Sequence, residues 1–210
     1  MSATGIAPSL PIPAFTTLIS PWPTLVSSIH VATPSDYLSP ITLHLYGRQY
    51  VGEVTTSGKP RTPPHGPADS IASPGTCRDA ALWAGAWPQR GWHIVFGAEE
   101  VLGDDARQLI DWLRGDVAKH MRKEQGEGKV QSRGKGIGKG AVVVTEQEKQ
   151  VHAWPIVQLF LGTVEEERLG GLRRIVDVMV DATAAPRGGG RRNVSVDMTP
   201  PSSPSRRRET

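Results

Sequence analysis

The sequence predicts an α+β domain, with about six strands in a mainly antiparallel sheet and two helices on one face. Three observations carry that expectation. Ile41-Thr-Leu-His-Leu-Tyr46 alternates cleanly, with Ile41, Leu43 and Leu45 on one side, the period of a half-buried strand. Ala106, Leu109, Ile110, Leu113, Val117 and Met121 recur at the spacing of one helical stripe. The run from Val157 to Val180 reads as a buried strand passing directly into a second helix.

The elements follow in order. Thr24 to Ala32 is mixed apolar and β-branched and reads as a first strand, closed by the turn cluster Thr33-Pro34-Ser35-Asp36. Ile41–Tyr46 is the second strand. Gly47-Arg48-Gln49 is a tight connection, and Tyr50 to Thr55 returns as a third. A Pro- and Gly-rich insert fills 56–90, broken only by a short helical turn at Ala80-Ala-Leu-Trp83. Trp92-His-Ile-Val-Phe96 is the fourth strand. Asp104 or Asp105 then caps the first helix, and Lys119, Arg122 and Lys123 gather at its end, where the helix dipole favours cations. After a Gly/Lys loop, Ala141-Val-Val-Val-Thr145 is the fifth strand. His152 to Leu161 is the sixth, with Pro155 near its start, where a missing amide is tolerated. Thr163 and Glu166 form a capping box for the last helix, whose stripe is Leu169, Leu172, Ile175, Val176 and Met179. Gly170 and Gly171 weaken that helix by about 1 kcal/mol each, so packing must hold it.

Gly (23) and Pro (18) make up about a fifth of the chain, above average usage, and they cluster. The expected organisation is a disordered N-terminus at 1–22 and a domain at 23–183. The domain is interrupted by a flexible insert at 56–90 and a basic loop at 124–140, and a disordered basic tail follows at 184–210. That leaves roughly 110 ordered residues, one modest core that gains from a partner covering an exposed face. The single cysteine, Cys77, excludes an internal disulfide and suits a reducing, cytoplasmic setting. No apolar run approaches the ~20 residues that span a bilayer, so no membrane association is expected.

The net charge of +3 is unevenly spread. Residues 187–210 carry +4 and 119–139 carry +5, leaving the remainder at −6. An acidic body disfavours a whole-domain nucleic-acid binder. Binding of nucleic acid through the basic loop and Arg-rich tail is the alternative function.

No residue pattern points to catalysis, a cofactor or a metal. Gly134-Lys-Gly-Ile-Gly-Lys139-Gly140 has only three residues between Gly134 and Gly138, and Gly140 stands where a phosphate loop needs Ser or Thr. It reads as a solvated loop. His30, His44, His65, His93, His120 and His152 show no ligand spacing. His30, His44 and His93 are expected in strands, in structural roles. Glu165-Glu166-Glu167 complements a helix N-terminus. Trp112, beside the helix stripe, is expected at a sheet or partner edge.

Several local patterns resemble the proteasome assembly chaperone 3 family. Pro23-Thr24-Leu-Val, then Asp36-Tyr-Leu-Ser-Pro-Ile-Thr-Leu-His-Leu-Tyr-Gly47-Arg-Gln-Tyr-Val-Gly52-Glu-Val, is similar to that family's opening strands and glycine turn. Val101-Leu-Gly103-Asp-Asp, Ala141-Val-Val-Val and the stretch 157–180 are similar to its later segments. His44-Leu45-Tyr46 departs from it, standing where the family tends to have a Thr-Gln pair. The resemblance implies a six-stranded, two-helix domain without catalytic residues or cofactors. It also implies pairing with a proteasome assembly chaperone 4-like subunit, and binding of proteasome α subunits to promote assembly of the 20S α-ring.

Overall fold

A computed structural model describes residues 11–55, 57, 59, 66–124 and 141–184. It has three parallel strands in one open sheet, with helices on both faces. The strands are β1 (Thr16–Ile19), β2 (Trp92–Gly97) and β3 (Val142–Gln147), in the order β1-β2-β3. Thr16 lies opposite Trp92, and Trp92 opposite Val142. Between β1 and β2 come α1 (Pro40–Tyr50) and α2 (Ala80–Gly85). Between β2 and β3 runs one continuous rod. It comprises α3 (Gly103–Trp112), a π-helical turn (Leu113–Val117) and α4 (Ala118–Glu124). After β3 come α5 (Trp154–Leu161) and α6 (Glu165–Thr183).

This is not the expected six-stranded, mainly antiparallel sheet with two helices. The error traces to two apolar runs. Pro40 occupies the first turn of α1 after Ser39, where a missing amide costs nothing. Leu43 and Gly47, four residues apart, are the positions that α1 buries, whereas Ile41 and Leu45 face solvent. Pro155 likewise opens α5 rather than a strand. Short apolar runs read equally well as strand or buried helix. With α1 and α2 between β1 and β2, and the rod between β2 and β3, helical segments separate each pair of strands. Neighbouring parallel strands require such crossovers. Thr24–Ala32 and the return from Tyr50 form no strand of the sheet.

The central strand explains the core. Ile94 and Phe96 face one side and pack with Trp87, Ala106, Leu109, Ile110, Leu113 and Val117. The predicted helical stripe is therefore the buried one, with Met121 partly buried against the same cluster. Val95 faces the other side and packs with Trp154 and Ile175. A strand buried on both faces reads as a continuous apolar run, which is how Trp92–Phe96 and Ala141–Thr145 read. The stretch 66–90, expected as flexible insert, contributes α2, capped by Asp79 through the amides of Ala81 and Leu82. It also contributes Trp87 to the main core. Trp112 packs against that core beneath the Arg78 guanidinium. The Gly/Lys motif, most of the basic loop and nearly all of the tail lie outside the described residues.

The start of α6 departs from the expected capping box. Val164 is the cap residue, and the Thr163 amide and hydroxyl both donate to Glu167, four residues on, rather than to Glu166. Glu166 pairs with Arg173. Arg90 closes the other end, donating to the carbonyls of Ala182 and Ala184 that the helix leaves unpaired. The buried stripe is Gly171, Ile175 and Ala182, while Val176 and Met179 face outward.

The adjacent glycines of α6 give opposite predictions. A Cβ at Gly170 meets nothing within 4 Å, so Gly170→Ala should stabilise the protein by about 1 kcal/mol through helix propensity. A Cβ at Gly171 would lie 2.6 Å from Trp154 Cζ3 and 3.0 Å from Pro155. Gly171→Ala should therefore destabilise by about 1–3 kcal/mol, as overpacking does. Thermal melts of the two variants check both signs.

Candidate functional site

In open α/β sheets, ligands and chemistry gather outside the carboxyl ends of the strands. Here β1 ends at Ser20, whose φ is +43° and whose amide still donates to Val95. β2 ends at Gly97, followed by Ala98-Glu99-Glu100. Gly97 lies against the Gln150 backbone so closely that any Cβ would clash with it. That approach brings the segment after β3 over the end of β2.

Glu100 is the centre of the resulting cluster and is almost fully buried. The Ser20 hydroxyl donates to its Oε2 at 2.7 Å and accepts from the Ala153 amide at 2.8 Å. Ala153 itself has φ +53°. Nδ1 of His152 lies 3.8 Å from the same carboxylate oxygen. Oε1 of Glu100 is buried without a hydrogen-bond partner. Burial pushes the Glu100 carboxyl up to about 7. The Ser20 hydroxyl and the Gly97 backbone oppose that shift, Asp36 adds to it, and Arg107 subtracts. Burial holds His152 below the usual imidazole range.

A second polar cluster sits one turn further along, at the start of α3. Asp105 is buried and accepts from Ser27 Oγ at 3.2 Å, and its Oδ2 lies 2.7 Å from His30 Nε2. The His44 ring stands 5.3 Å from that of His30, with Nε2 3.0 Å from the Ser27 carbonyl. Of the three histidines expected in strands, only His93 is in one. His30 lies in a loop and His44 in α1.

The order of groups decides the chemistry. In the Ser-His-acid relay of nucleophilic hydrolysis an imidazole stands between hydroxyl and acid, so that the hydroxyl loses its proton to the ring. In both clusters the carboxyl group stands in the middle. It accepts from the hydroxyl and cannot activate it through an imidazole. Among the described residues no set of His, Cys, Asp and Glu is grouped to hold a metal ion. The clusters join distant segments: Ser20, Glu100 and Ala153 tie the ends of β1 and β2 to the start of α5.

Sequence reasoning placed Asp36 in a turn and Asp105 at a helix cap without their buried partners, and did not name Ser20 or Glu100. Their distant partners lie 65 to 133 positions away, so no local spacing encodes them. The available signal was Glu99-Glu100 immediately after the apolar run 92–96, two acids at the carboxyl end of a buried strand.

The surface supplies a different feature. Phe160 and Leu161, at the end of α5, are 80% and 74% exposed, and Val164 beside them is also exposed. On α6, Val176, Met179 and Val180 form an outward strip. On α1, Ile41 (82% exposed), Leu45, Tyr46 and Tyr50 face outward. No helix of the described residues is long and apolar enough to cross a membrane.

Two predictions follow from the buried groups. Replacing Asp105 with Ala strands His30 and Ser27 in the interior and should cost about 3 kcal/mol or more, read by urea denaturation. His93 is fully buried beside Thr145, and burial lowers it to about 4. The unfolded chain thus binds the proton more tightly. His93 contributes stability above the unfolded value of 6.5, and that contribution is lost as pH falls toward 4. The loss should approach about 3 kcal/mol. Chemical denaturation at pH 7 and pH 4.5 measures it, and His93→Gln should flatten the acid limb.

No family model, no curated protein and no solved structure compared with the chain matches it.

Proposed function

We propose that this chain is a non-catalytic protein-binding module that docks partners through the apolar side chains displayed by α5–α6 and α1. The observation that carries the reading is the pair Phe160 and Leu161, almost fully exposed at the tip of a helical hairpin. Large side chains held out in water at a rigid helix end represent apolar area that a partner can remove from solvent, at about 25 cal/mol per Å². The carboxyl-centred order of both buried clusters supports the non-catalytic half of the reading.

The most specific form of this proposal is an assembly chaperone for the 20S α-ring, acting with a proteasome assembly chaperone 4-like subunit. That form rests on the sequence resemblance alone. The six-stranded fold which the resemblance implied is not the fold of this chain, so the geometry supports protein binding and not the proteasome in particular.

Affinity purification of the tagged chain, with nuclease treatment, tests the proposal beside the double variant Phe160→Asp/Leu161→Asp. Wild type should recover stoichiometric protein partners, and the variant should lose them at least tenfold while its melting temperature stays unchanged. Proteasome α subunits together with one small partner, without β subunits, would establish the chaperone form. Equal recovery by both proteins, or recovery that vanishes with nuclease, would sink the proposal.

A further inference from the structure

The segment 33–37 lies as a strap across the carboxyl end of the sheet. Thr33 Oγ1 donates to the Glu99 carbonyl at 2.6 Å, and the Ser35 hydroxyl bonds the Glu99 carboxylate. Asp36 accepts the Val101 amide on Oδ2 at 2.8 Å, just ahead of α3, while its own amide donates to Thr33 Oγ1. Tyr37 donates its hydroxyl to the His152 carbonyl at 3.2 Å, and its ring stands edge-on to the His152 ring. Tyr37 is otherwise exposed, so the strap is held by polar contacts along its length, and the first apolar anchor is Leu38 beyond it, packed against Leu43, Val101 and Leu102.

We propose that residues 33–37 are a pH-controlled latch over the carboxyl end of the sheet, closed while the Glu100 carboxyl is neutral and released when it ionises.

The argument rests on what surrounds Glu100. From the strap, Asp36 and Tyr37 face it, and Asp36 disfavours a second negative charge there. On its own loop, Glu99 carries the carboxylate to which Ser35 is bonded. From α3, Arg107 is the attracting cation among the described residues, and its guanidinium is already shared between Asp104 and Glu146. From the segment before α5, His152 lies 3.8 Å away and is itself held toward its neutral form by burial. From β1 comes Ser20, a neutral donor to one oxygen only. The other oxygen, Oε1, is buried without a partner. A carboxylate at this position is penalised first by burial, which the Ser20 hydroxyl and the Gly97 backbone only partly offset, while Asp36 opposes Arg107 and Oε1 has no hydrogen-bond partner. Opening the strap relieves both by withdrawing Asp36 and admitting water. It also uncovers the carboxyl ends of β1 and β2. The latch is independent of the docking surfaces on α5–α6.

The sign is fixed by linkage. Glu100 binds its proton more tightly in the closed form, with its midpoint about 7 against an ordinary 4.5. The closed form therefore loses ground as pH rises from 4.5 and stops losing it above 7. Opening should increase by at most tenfold per pH unit across that interval.

Hydrogen–deuterium exchange of the full chain between pH 5 and 8.5, corrected for the intrinsic pH dependence of exchange, reads the latch directly. Protection in peptides covering 33–38 should fall by up to tenfold per unit until pH 7 and then level, while β2 stays protected. Glu100→Gln, which keeps the volume and removes the titration, should give a flat profile. Asp36→Asn, which removes a charge that raises the Glu100 midpoint, should make the fall level off at lower pH, and His152→Gln should leave the slope in place. Tyr37→Phe should lower protection at every pH with the slope unchanged. A flat wild-type profile, a slope that survives in Glu100→Gln, or strap exchange that tracks β2 would overturn the proposal.

Discussion

The rest of the structure depends on the burial of β2 on both faces and both edges. His93, Ile94, Val95 and Phe96 are wholly removed from water. β1 and β3 satisfy the backbone of β2 on either side, and the helical layers satisfy its side chains. Alternation along a strand sends Ile94 and Phe96 to one helical layer and His93 and Val95 to the other. One six-residue segment thus sets the position of both layers. The polar clusters inherit their geometry from it. Gly97 ends the strand, Ala98, Glu99 and Glu100 turn away from its end with the Glu100 amide donating back to the Gly97 carbonyl, and α3 starts directly after. Ser20 and Ala153 reach Glu100 because their segments are already docked along β2 or above its end.

The parts legible in the sequence are those whose signal is local and repeated. The rod from Gly103 to Glu124 shows a stripe over several turns, and the same residues bury themselves as expected. β2 and β3 read correctly because a strand covered on both faces is a short continuous apolar run. The start and the stripe of α6 were only partly legible. Its length was clear, but the real buried line runs through Gly171 and Ala182, small residues that no apolar count would select. Their size is what lets Trp154 and Pro155 approach. α1 was misread because Ile41, Leu43 and Leu45 alternate by coincidence, and only Leu43 is buried. β1, four residues between prolines, carries almost no pattern of its own. It becomes a strand because β2 offers it an edge.

The polar sites were not legible, and the reason is physical. A buried carboxyl needs partners within about 3 Å, but nothing requires those partners to be near in sequence. Ser20, Asp36 and His152 reach Glu100 through the fold alone. Both clusters repeat one arrangement, a carboxyl group flanked by a hydroxyl and an imidazole near the start of α3. Asp36 and Asp105 also lie near that helix N-terminus, where negative charge is favoured. The same region that welcomes these acids makes each additional charge costly, and Glu100 bears that cost.

The Arg90 clasp has a directional consequence. Arg90 precedes β2, so by gripping the carbonyls of Ala182 and Ala184 it anchors the end of α6 at the amino edge of the sheet. The strap and Glu100 stand at the carboxyl edge. The length of β2, about 20 Å at 3.3 Å per residue, separates the two. Whatever is attached beyond residue 184, such as a kinase-added phosphate, a fused domain or a purification tag, is launched from the pole of the molecule opposite the latch.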